Sequence, residues 1–287
     1  MESLREVLEQ NKKKNVAVGH FNISDLVTLH AIFDTARELK YPVLIGVSEG
    51  ERKMVGVKQA AALVRSLRDE FGYPIFLNAD HTESLEHVRE AAQAGFDEVM
   101  FDGSKLPFEQ NAKQTRQAVE IAKSINPKVV VEGEIGYIGS SSGIVEKRPE
   151  ASLKYTEPAE AVQFVKETGV DVLAPAVGNM HGMMRDMIAG EAHKRLDIAR
   201  IGKIKEAVGT FMTLHGGSGT ADEDFVAAIK HGMNIVHVNT ELRLAWRRGV
   251  EQGLKDNPNE VAPYKILPAA YQKIAEVVRN RLKLFNS

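Results

Sequence analysis

The chain has 287 residues, of which 43% are hydrophobic and 26% are charged, as is typical of a folded protein with a sizeable core. Its 37 basic and 39 acidic residues give a formal net charge of −2, which argues against a nucleic-acid binder that depends on bulk positive charge. The absence of cysteine excludes disulfides, zinc–thiolate sites and cysteine nucleophiles, so a transition metal would need His, Asp and Glu ligands.

Short β-branched runs alternate with longer stretches of helical spacing along the whole chain. The predicted strands are Val16–Phe21, Val43–Val47, Ile75–Asn78, Glu98–Phe101, Val129–Glu134, Val172–Ala176, Phe211–Leu214 and Ile235–Val238. The predicted helices are Leu26–Leu39, Val57–Phe71, Ser84–Ala94, Phe108–Ile125, Pro158–Thr168, Asp197–Val208, Asp222–His231, Thr240–Leu254 and a last one at Pro268–Leu284. Eight strand-then-helix units in about 250 residues predict an α/β fold, a (β/α)8 TIM barrel with an extra C-terminal helix.

No Pro/Gly/Ser-rich linker divides the chain, so we predict one domain that spans residues 1–287. Two segments interrupt the alternation, at 136–154 and 183–195, and in a barrel both would lie at the carboxyl-terminal face, where loops carry function. The first residues lack the apolar core of a signal peptide, and no apolar run is as long as a membrane span. We therefore expect a cytoplasmic protein that contacts neither membranes nor nucleic acid.

Polar side chains lie at or just after the ends of the third to eighth predicted strands, where barrel enzymes place their active sites. In chain order they are Asp80, His81, Asp102, Glu134, His181, His215, His237, Asn239 and Thr240. His81, His181 and His215 could meet at one point, and three imidazoles with an open position suit a catalytic zinc ion. The alternative is that each histidine only makes local hydrogen bonds.

Glycine-rich segments at the same face predict a phosphate site. HGGSGT, at residues 215–220, precedes a predicted helix, and Gly182 follows His181. Small residues before a helix expose backbone N–H groups that bind phosphate, although glycine loops are also ordinary turns. A metal, a phosphate site and the carboxylate of Asp80 together predict carbon–carbon bond cleavage or formation beside a phosphorylated ketone, with Asp80 moving a hydroxyl proton.

These motifs resemble those of the class II, metal-dependent fructose-bisphosphate and tagatose-bisphosphate aldolases. The resemblance covers almost the whole chain in one register. It is carried by VGHFNISDL, LNADHTESLE, VMFDGSKLPFEQN, VVEGEIGYIG, YTEPAEAVQFVKETGVDVLAPAVGNMHG, TLHGGSGT and VNTELRLAW.

The resemblance implies a residue-by-residue site. It implies zinc held by His81, His181 and His215, with Glu134 and Asp102 forming a second or alternate metal site or supporting the first. It implies that Asp80 exchanges a proton with the C4 hydroxyl of the substrate. The matching positions for substrate and phosphate contacts are Asn22, Ser48, Gly182, Gly216, Ser218, His237, Asn239 and Thr240.

The same resemblance implies an activity and its partners. We expect cleavage of a ketose 1,6-bisphosphate, with fructose 1,6-bisphosphate first, to dihydroxyacetone phosphate and glyceraldehyde 3-phosphate through a metal-stabilised enediolate. A monovalent cation, Na⁺ or K⁺, is expected near Gly182 and Ser218. A phosphorylated sugar is the expected partner, carbohydrate metabolism and glycolysis the expected context, and a homodimer or homotetramer the expected assembly.

The chain also departs from the family pattern. Ile235 and His237 stand where the family usually has Lys and Asn, and residues 139–142 read GSSS where it usually has Gly-Gly-Glu-Asp. Glu146 is the nearest acid that could protonate the enediolate carbon. These changes leave two alternatives open: an aldolase for tagatose bisphosphate, a ketose monophosphate or another acceptor aldehyde, and a non-catalytic phosphosugar-binding homologue.

Overall fold

Eight parallel strands close into a barrel in the computed structural model, which describes residues 2–139, 142–146 and 154–287. The barrel strands are β1 (Val18–Asn22), β2 (Val43–Val47), β3 (Ile75–Thr82), β4 (Glu98–Phe101), β5 (Val130–Ile135), β7 (Val172–Pro175), β9 (Phe211–Leu214) and β10 (Ile235–Val238). Each pairs with the next in this order, and β1 pairs with β10 to close the ring. Two short strands, β6 (Ile144–Val145) and β8 (Met183–Met184), pair with each other outside the barrel. The predicted fold class is confirmed.

Helices surround the barrel. They are α1 (Leu4–Lys14), α2 (Leu26–Leu39), α3 (Glu49–Val55), α4 (Val57–Phe71), α5 (Leu85–Ala94), α6 (Phe108–Ile125), α7 (Pro158–Thr168), α8 (Arg185–Ala189), α9 (Ile198–Val208), α10 (Asp222–Lys230), α11 (Thr240–Asp256), α12 (Pro263–Ile266) and α13 (Pro268–Phe285). The nine predicted helices are present with nearly the predicted bounds. The helices α1, α3, α8 and α12 are not among the predicted ones, and three of these four have seven residues or fewer.

Helix α1 closes the amino-terminal end of the barrel. It begins at a capping box in which the side chains of Ser3 and Glu6 bond each other's backbone N–H groups. The apolar face of α1, formed by Leu4, Val7 and Leu8, packs against residues at the amino-terminal ends of the barrel strands. Burying each of these side chains contributes about 1.5–3 kcal/mol. The open end of the barrel is therefore the carboxyl-terminal one.

The main hydrophobic core lies between the outer face of the barrel and the helices, and α13 completes it. Ile274, Val278 and Leu282 are fully buried along α13. The backbone N–H of Ala17 donates to the carbonyl of Phe285, which joins the end of α13 to the start of β1. The strands read as continuous apolar runs because helices cover their outer faces and side chains fill the interior.

Candidate active site and metal centre

A β-bulge at the end of β3 places two neighbouring polar residues in different parts of the barrel mouth. The pairing of β3 with β4 shifts register between Ala79 and Thr82, and His81 has a left-handed backbone with φ 44°. Such a backbone costs about 1–3 kcal/mol outside glycine. Bulges re-aim side chains beside active sites. Here Asp80 faces β1, and His81 faces β4.

Arg52 holds this strained strand end in place. Its guanidinium donates to the carbonyl of Val47 at 2.6 Å, to the carbonyl of Asp80 at 3.1 Å and to Oγ1 of Thr82 at 3.1 Å. Arg52 is 5% exposed, and the planar fork of an arginine can satisfy several acceptors at once. The carbonyl contacts leave the Asp80 carboxylate free to face the mouth.

The three predicted histidine ligands meet at the mouth. The ring centroids of His81 lie 4.7 Å from His181 and 4.9 Å from His215. One ligand atom from each of these histidines and from Glu134 lies within 4.8 Å of the others. Among the described residues, Nε2 of His181, Nδ1 of His215 and both carboxylate oxygens of Glu134 are buried without a hydrogen-bond partner. Buried polar atoms need a partner, and a divalent metal ion would supply one to all of them.

Two carboxylates orient the histidine rings from behind. Nδ1 of His81 lies 2.8 Å from Oδ2 of Asp102, and Nε2 of His215 lies 2.5 Å from Oε1 of Glu132. Metal-binding histidines usually have such a partner on the other ring nitrogen. Of the two roles expected for Asp102, the structure shows the supporting contact to His81, whereas Glu134 stands among the groups that can hold the ion. Glu132 is a supporting residue that the predicted site did not include.

The electrostatics of the cluster favour a bound cation. Burial raises the pKa of Glu134 well above its ordinary value, and Asp102 raises it further. Burial would lower the pKa of His81, but the charges of Asp80 and Asp102 and a hydrogen bond to Asp102 raise it to about 10. The carboxylates therefore hold a positive charge at His81. A divalent ion would take over that compensating charge.

Asp80 has one free carboxylate oxygen at the mouth. Its Oδ2 accepts a 2.8 Å hydrogen bond from Asn22, whereas its buried Oδ1 has no partner within hydrogen-bond distance among the described residues. Burial would raise the pKa of Asp80, but the charges of His81, His20 and His215 and the bond from Asn22 bring it below its ordinary value. The group is therefore an ionised carboxylate that can accept a proton.

Glu51 organises the residues around Asp80. Nδ2 of Asn22 donates to Oε2 of Glu51 as well as to Asp80, both at 2.8 Å. The same Oε2 accepts from the backbone N–H and the hydroxyl of Ser48, and Oε1 accepts from Arg243 at 2.7 Å. Ser48 therefore supports Glu51 rather than lining the pocket. The Ser-x-x-Glu spacing of Ser48 and Glu51 is a capping-box signal that could have identified this pair from the sequence.

A polar pocket beside Asp80 brings together most of the predicted substrate residues. Its walls are formed by Asn22, Asp80, Ser142, His181, Gly182, Gly216, Ser218, His237, Asn239 and Thr240. Gly216 has φ +61°, and a Cβ there would lie 2.4 Å from the carbonyl oxygen of Met180, so glycine is required. Thr240 is the first residue of α11, a 17-residue helix whose N-terminus attracts anions. A glycine backbone of this kind and a helix N-terminus are features expected of a phosphate site.

His237 lines that pocket but is also packed in a stack of imidazoles. Its ring lies parallel to that of His20 at 3.5 Å and against that of His215 at 3.9 Å. Nδ1 of His237 is 3.6 Å from Oδ1 of Asp80. A Cβ on Gly46 would lie 2.1 Å from the ring of His20, so this glycine makes room for the stack. His20, which sequence reasoning did not single out, fixes the position of His237.

The monovalent cation expected near Gly182 and Ser218 does not fit this structure. The ammonium group of Lys194 lies between the two residues and donates to the carbonyl oxygens of Gly182 at 2.7 Å and Ser218 at 2.5 Å. The expectation of Na⁺ or K⁺ at this position is therefore corrected, because the ammonium group of Lys194 occupies it. Lysine is usually exposed, so nothing in the sequence signalled this role.

Other sequence features lie away from the pocket. Ile235 is buried in the cluster around α1, at the opposite end of the barrel. Glu146 is exposed and pairs with Arg185 at 3.3 Å. Residues 140–141, which are the middle of the GSSS departure, and residues 147–153 lie outside the described residues.

No helix in the part of the chain that the structure describes is long and apolar enough to cross a membrane.

Comparison with known proteins gives one consistent result. The family model for fructose-bisphosphate aldolase class II matches residues 2–287. The chain is 36% identical to the fructose-bisphosphate aldolase of Geobacillus stearothermophilus, covering 99% of this chain and 96% of that protein. It is 34% identical to a fructose-bisphosphate aldolase of Staphylococcus aureus, with 99% and 97% coverage. The solved structure of the YdjI aldolase from Escherichia coli K12 superposes with a TM-score of 0.83 at 27% identity, covering 99% of this chain and 97% of that one.

Proposed function

Because the chain belongs to the class II fructose-bisphosphate aldolase family, we propose that it is a zinc-dependent aldolase that cleaves a ketose 1,6-bisphosphate. Fructose 1,6-bisphosphate is the first candidate, with dihydroxyacetone phosphate and glyceraldehyde 3-phosphate as products. The observation that carries the proposal is a convergence at one mouth. The free Oδ1 of Asp80, four residues that could hold a metal ion and the polar pocket beside Asp80 meet there.

The donor set favours zinc. Three imidazoles and one carboxylate without thiolates suit zinc or a similar divalent ion. His81, His181, His215 and Glu134 would hold it, with Asp102 and Glu132 orienting two of the rings. When bound, the ion would act as a Lewis acid toward the oxygens of the substrate.

Asp80 is the proposed base for the cleavage step. Its free Oδ1 takes the proton of the C4 hydroxyl, the C4–O bond becomes a carbonyl, and the C3–C4 bond breaks. The electron pair of that bond passes to the ketone half, which later gains a proton at carbon. Asn22 keeps Asp80 oriented by donating to Oδ2, and Glu51 in turn orients Asn22.

The phosphate of the ketone half would lie in the polar pocket beside Asp80. Gly182, Gly216 and Ser218 supply backbone to this pocket, and the N-terminus of α11 adds a partial positive charge. Asp80 and His181 line the same pocket, so a phosphate fixed there places the rest of the ketone half beside the base and the metal group.

A neighbouring cavity would receive the other half of the substrate. It has a volume of about 110 Å³ and shares Asn22 and Asn239 with the polar pocket beside Asp80. Arg243 is the basic residue in its walls, but its guanidinium is paired with Glu51 at 2.7 Å. A second phosphate would compete with that carboxylate. This pairing favours, as a second candidate, a related aldolase for a ketose monophosphate, which lacks the second phosphate. Tagatose bisphosphate has the same distal phosphate as fructose bisphosphate and differs from it at C4, so it stays a further alternative on which this pairing does not bear.

A substrate panel tests the proposal. Cleavage of fructose 1,6-bisphosphate, tagatose 1,6-bisphosphate and fructose 1-phosphate is measured with zinc and with chelator. We expect the highest kcat/KM on fructose 1,6-bisphosphate, loss of activity with chelator, and recovery with zinc or cobalt. The matched variant Arg243→Met should raise KM for the bisphosphates more than for the monophosphate.

The panel also separates the alternatives. A preference for the monophosphate would support the second candidate, and a preference for tagatose bisphosphate would support the further alternative. A zinc-loaded protein that binds these sugars but cleaves none of them would be a phosphosugar-binding homologue. The cytoplasmic location and the homodimer or homotetramer stay predictions of the sequence, the latter to be measured by light scattering on the purified protein.

A further inference from the structure

Lys194 buries its ammonium group beside the pocket instead of extending it into solvent. The residue is 2% exposed. Its Nζ donates to the carbonyl oxygens of Met180 at 2.7 Å, Gly182 at 2.7 Å, Gly216 at 2.9 Å and Ser218 at 2.5 Å. A buried ammonium is costly unless its N–H donors are satisfied. The backbone satisfies them here, so the arrangement is a built cage for a single positive charge.

Each peptide group of the cage continues into a second contact. In each of these four peptide groups, the N–H belongs to the residue that follows the carbonyl in the chain. These N–H groups donate as follows: His181 to the carbonyl of Ile138, Met183 to the carbonyl of Gly143, Gly217 to the carbonyl of His237, and Gly219 to Oε1 of Glu241. A cation that attracts a carbonyl also strengthens the N–H on the same peptide as a donor. One ammonium therefore braces the loops after β7 and β9 against β10, α11 and the loop after β5.

The fold itself sets the position of Lys194. Its backbone N–H donates to Gly219, its carbonyl accepts from Ala221, and it forms an isolated bridge with Thr220. The next residue, Arg195, makes a two-bond contact with Asp224, at 2.9 Å for each bond. Because the backbone is held on both sides, the side chain is directed into the cage.

A cluster of backbone carbonyl oxygens is also how proteins hold Na⁺ or K⁺. Three of the four cage residues, Gly182, Gly216 and Ser218, line the pocket assigned to phosphate. We propose that Lys194 is a built-in replacement for a monovalent metal ion. It acts as a positioning residue that shapes the phosphate pocket and adds a positive charge behind it, so that the protein needs neither Na⁺ nor K⁺. The phosphate part of this inference rests on the proposed function, whereas the cage itself does not.

Thermal unfolding in KCl, NaCl and choline chloride at equal ionic strength tests the cage without any activity. The wild type should have the same midpoint in all three salts. Lys194→Ala empties the cage, so its midpoint should fall in choline chloride and rise again in KCl or NaCl. Lys205→Met is the matched control, because Lys205 also donates to a backbone carbonyl, that of Thr210, but outside the site. It should show no preference among the salts.

Kinetics on the zinc-loaded protein test the role toward phosphate. In choline chloride, Lys194→Ala should raise KM on the order of tenfold, which corresponds to losing about 1.4 kcal/mol of attraction, with a smaller change in kcat. K⁺, Na⁺ or NH₄⁺ should restore KM. Lys194→Met keeps the stem without the charge, so it should have the same defect with no rescue, because the side chain still fills the cage.

Either arm can overturn the proposal. A wild type whose midpoint depends specifically on K⁺ or Na⁺ would show that the cage takes a metal ion in spite of Lys194, and this result needs no variant. A folded Lys194→Ala protein that is insensitive to K⁺, Na⁺ and NH₄⁺ would reduce Lys194 to a structural residue. If instead the salt response of the midpoint is as expected but no substrate is cleaved, the cage stands and the proposed aldolase activity fails.

Discussion

At the scale of single residues, substitution of Asp80 is the most direct test of the proposed reaction. Asp80→Ala removes the base but none of the four metal-binding groups, so the variant should keep its zinc. The rate of cleavage should fall about 10²–10⁴-fold, the usual range for a general base. Metal content by mass spectrometry and kcat on the bisphosphate check both statements. His181→Ala is the contrasting variant and should lose the metal; zinc loss in Asp80→Ala would make Asp80 a ligand instead.

His237 is the second residue whose role a substitution can decide. His237→Asn restores the residue that the family usually has, but leaves His20 without its stacking partner. If the edge of His237 touches the substrate, the ratio of kcat/KM values among the ketose phosphates should change, while zinc content stays the same. Identical ratios in the variant and the wild type would limit His237 to filling the barrel.

Lys205 gives a stability prediction with a definite sign. Burial, together with the nearby charge of Lys12, lowers its pKa to about 8 in the folded state. Between pH 8 and the ordinary lysine pKa of about 10.4, the unfolded chain therefore binds more protons at this position than the folded one. The contribution of Lys205 to the free energy of unfolding should rise with pH in that window and stay constant below it. Denaturant unfolding of the wild type minus Lys205→Met, measured across pH 7–11, should show this rise; a flat difference would contradict it.

At the scale of elements, the loops that follow β7 and β9 depend on close backbone approach. Gly216→Ala adds a Cβ 2.4 Å from the carbonyl of Met180, in a backbone with φ +61°. We expect weaker binding of inorganic phosphate and a lower unfolding midpoint. Gly209→Ala is the control, since Gly209 has φ +69° with nothing within 4 Å of the added Cβ. It should show only the conformational cost of about 1–2 kcal/mol. Equal phosphate affinity in the two variants would remove Gly216 from the pocket.

The barrel strands and the helices between them were largely predictable, whereas α1, the short helices and the full length of β3 were not. The predicted strand ended at Asn78, whereas β3 continues to Thr82. The extra residues include the bulge and the left-handed His81, which are held by Arg52. Local propensity could not indicate this, because the strain is stabilised by contacts to a residue about 30 positions away.

At the scale of the whole molecule, the four residues that could hold a metal ion come from strands on opposite sides of the barrel. Ligand atoms come from the ends of β3, β5, β7 and β9, so an ion bound there should stabilise the closed barrel. The expected gain is about 2.7 kcal/mol at a free zinc concentration 100 times Kd. Chelator should lower the thermal midpoint of the wild type but not that of His181→Ala. A wild-type midpoint that is independent of chelator would argue against a metal at this position.

The sequence by itself determined the order of the elements, the barrel and the end of the barrel that carries the site. Hydrophobic periodicity is local, and parallel strands in series place their carboxyl ends together, so Asp80, His81, His181 and His215 could be assigned to one mouth from their positions alone. Tertiary structure decided what surrounds them. Glu51 accepts a hydrogen bond from Asn22, which is 29 positions away in the chain. Lys194 donates hydrogen bonds to backbone carbonyl oxygens of residues between 180 and 218. Backbone carbonyls have no sequence signature, so the replacement of an expected metal ion by a lysine became visible only when the loops were in place.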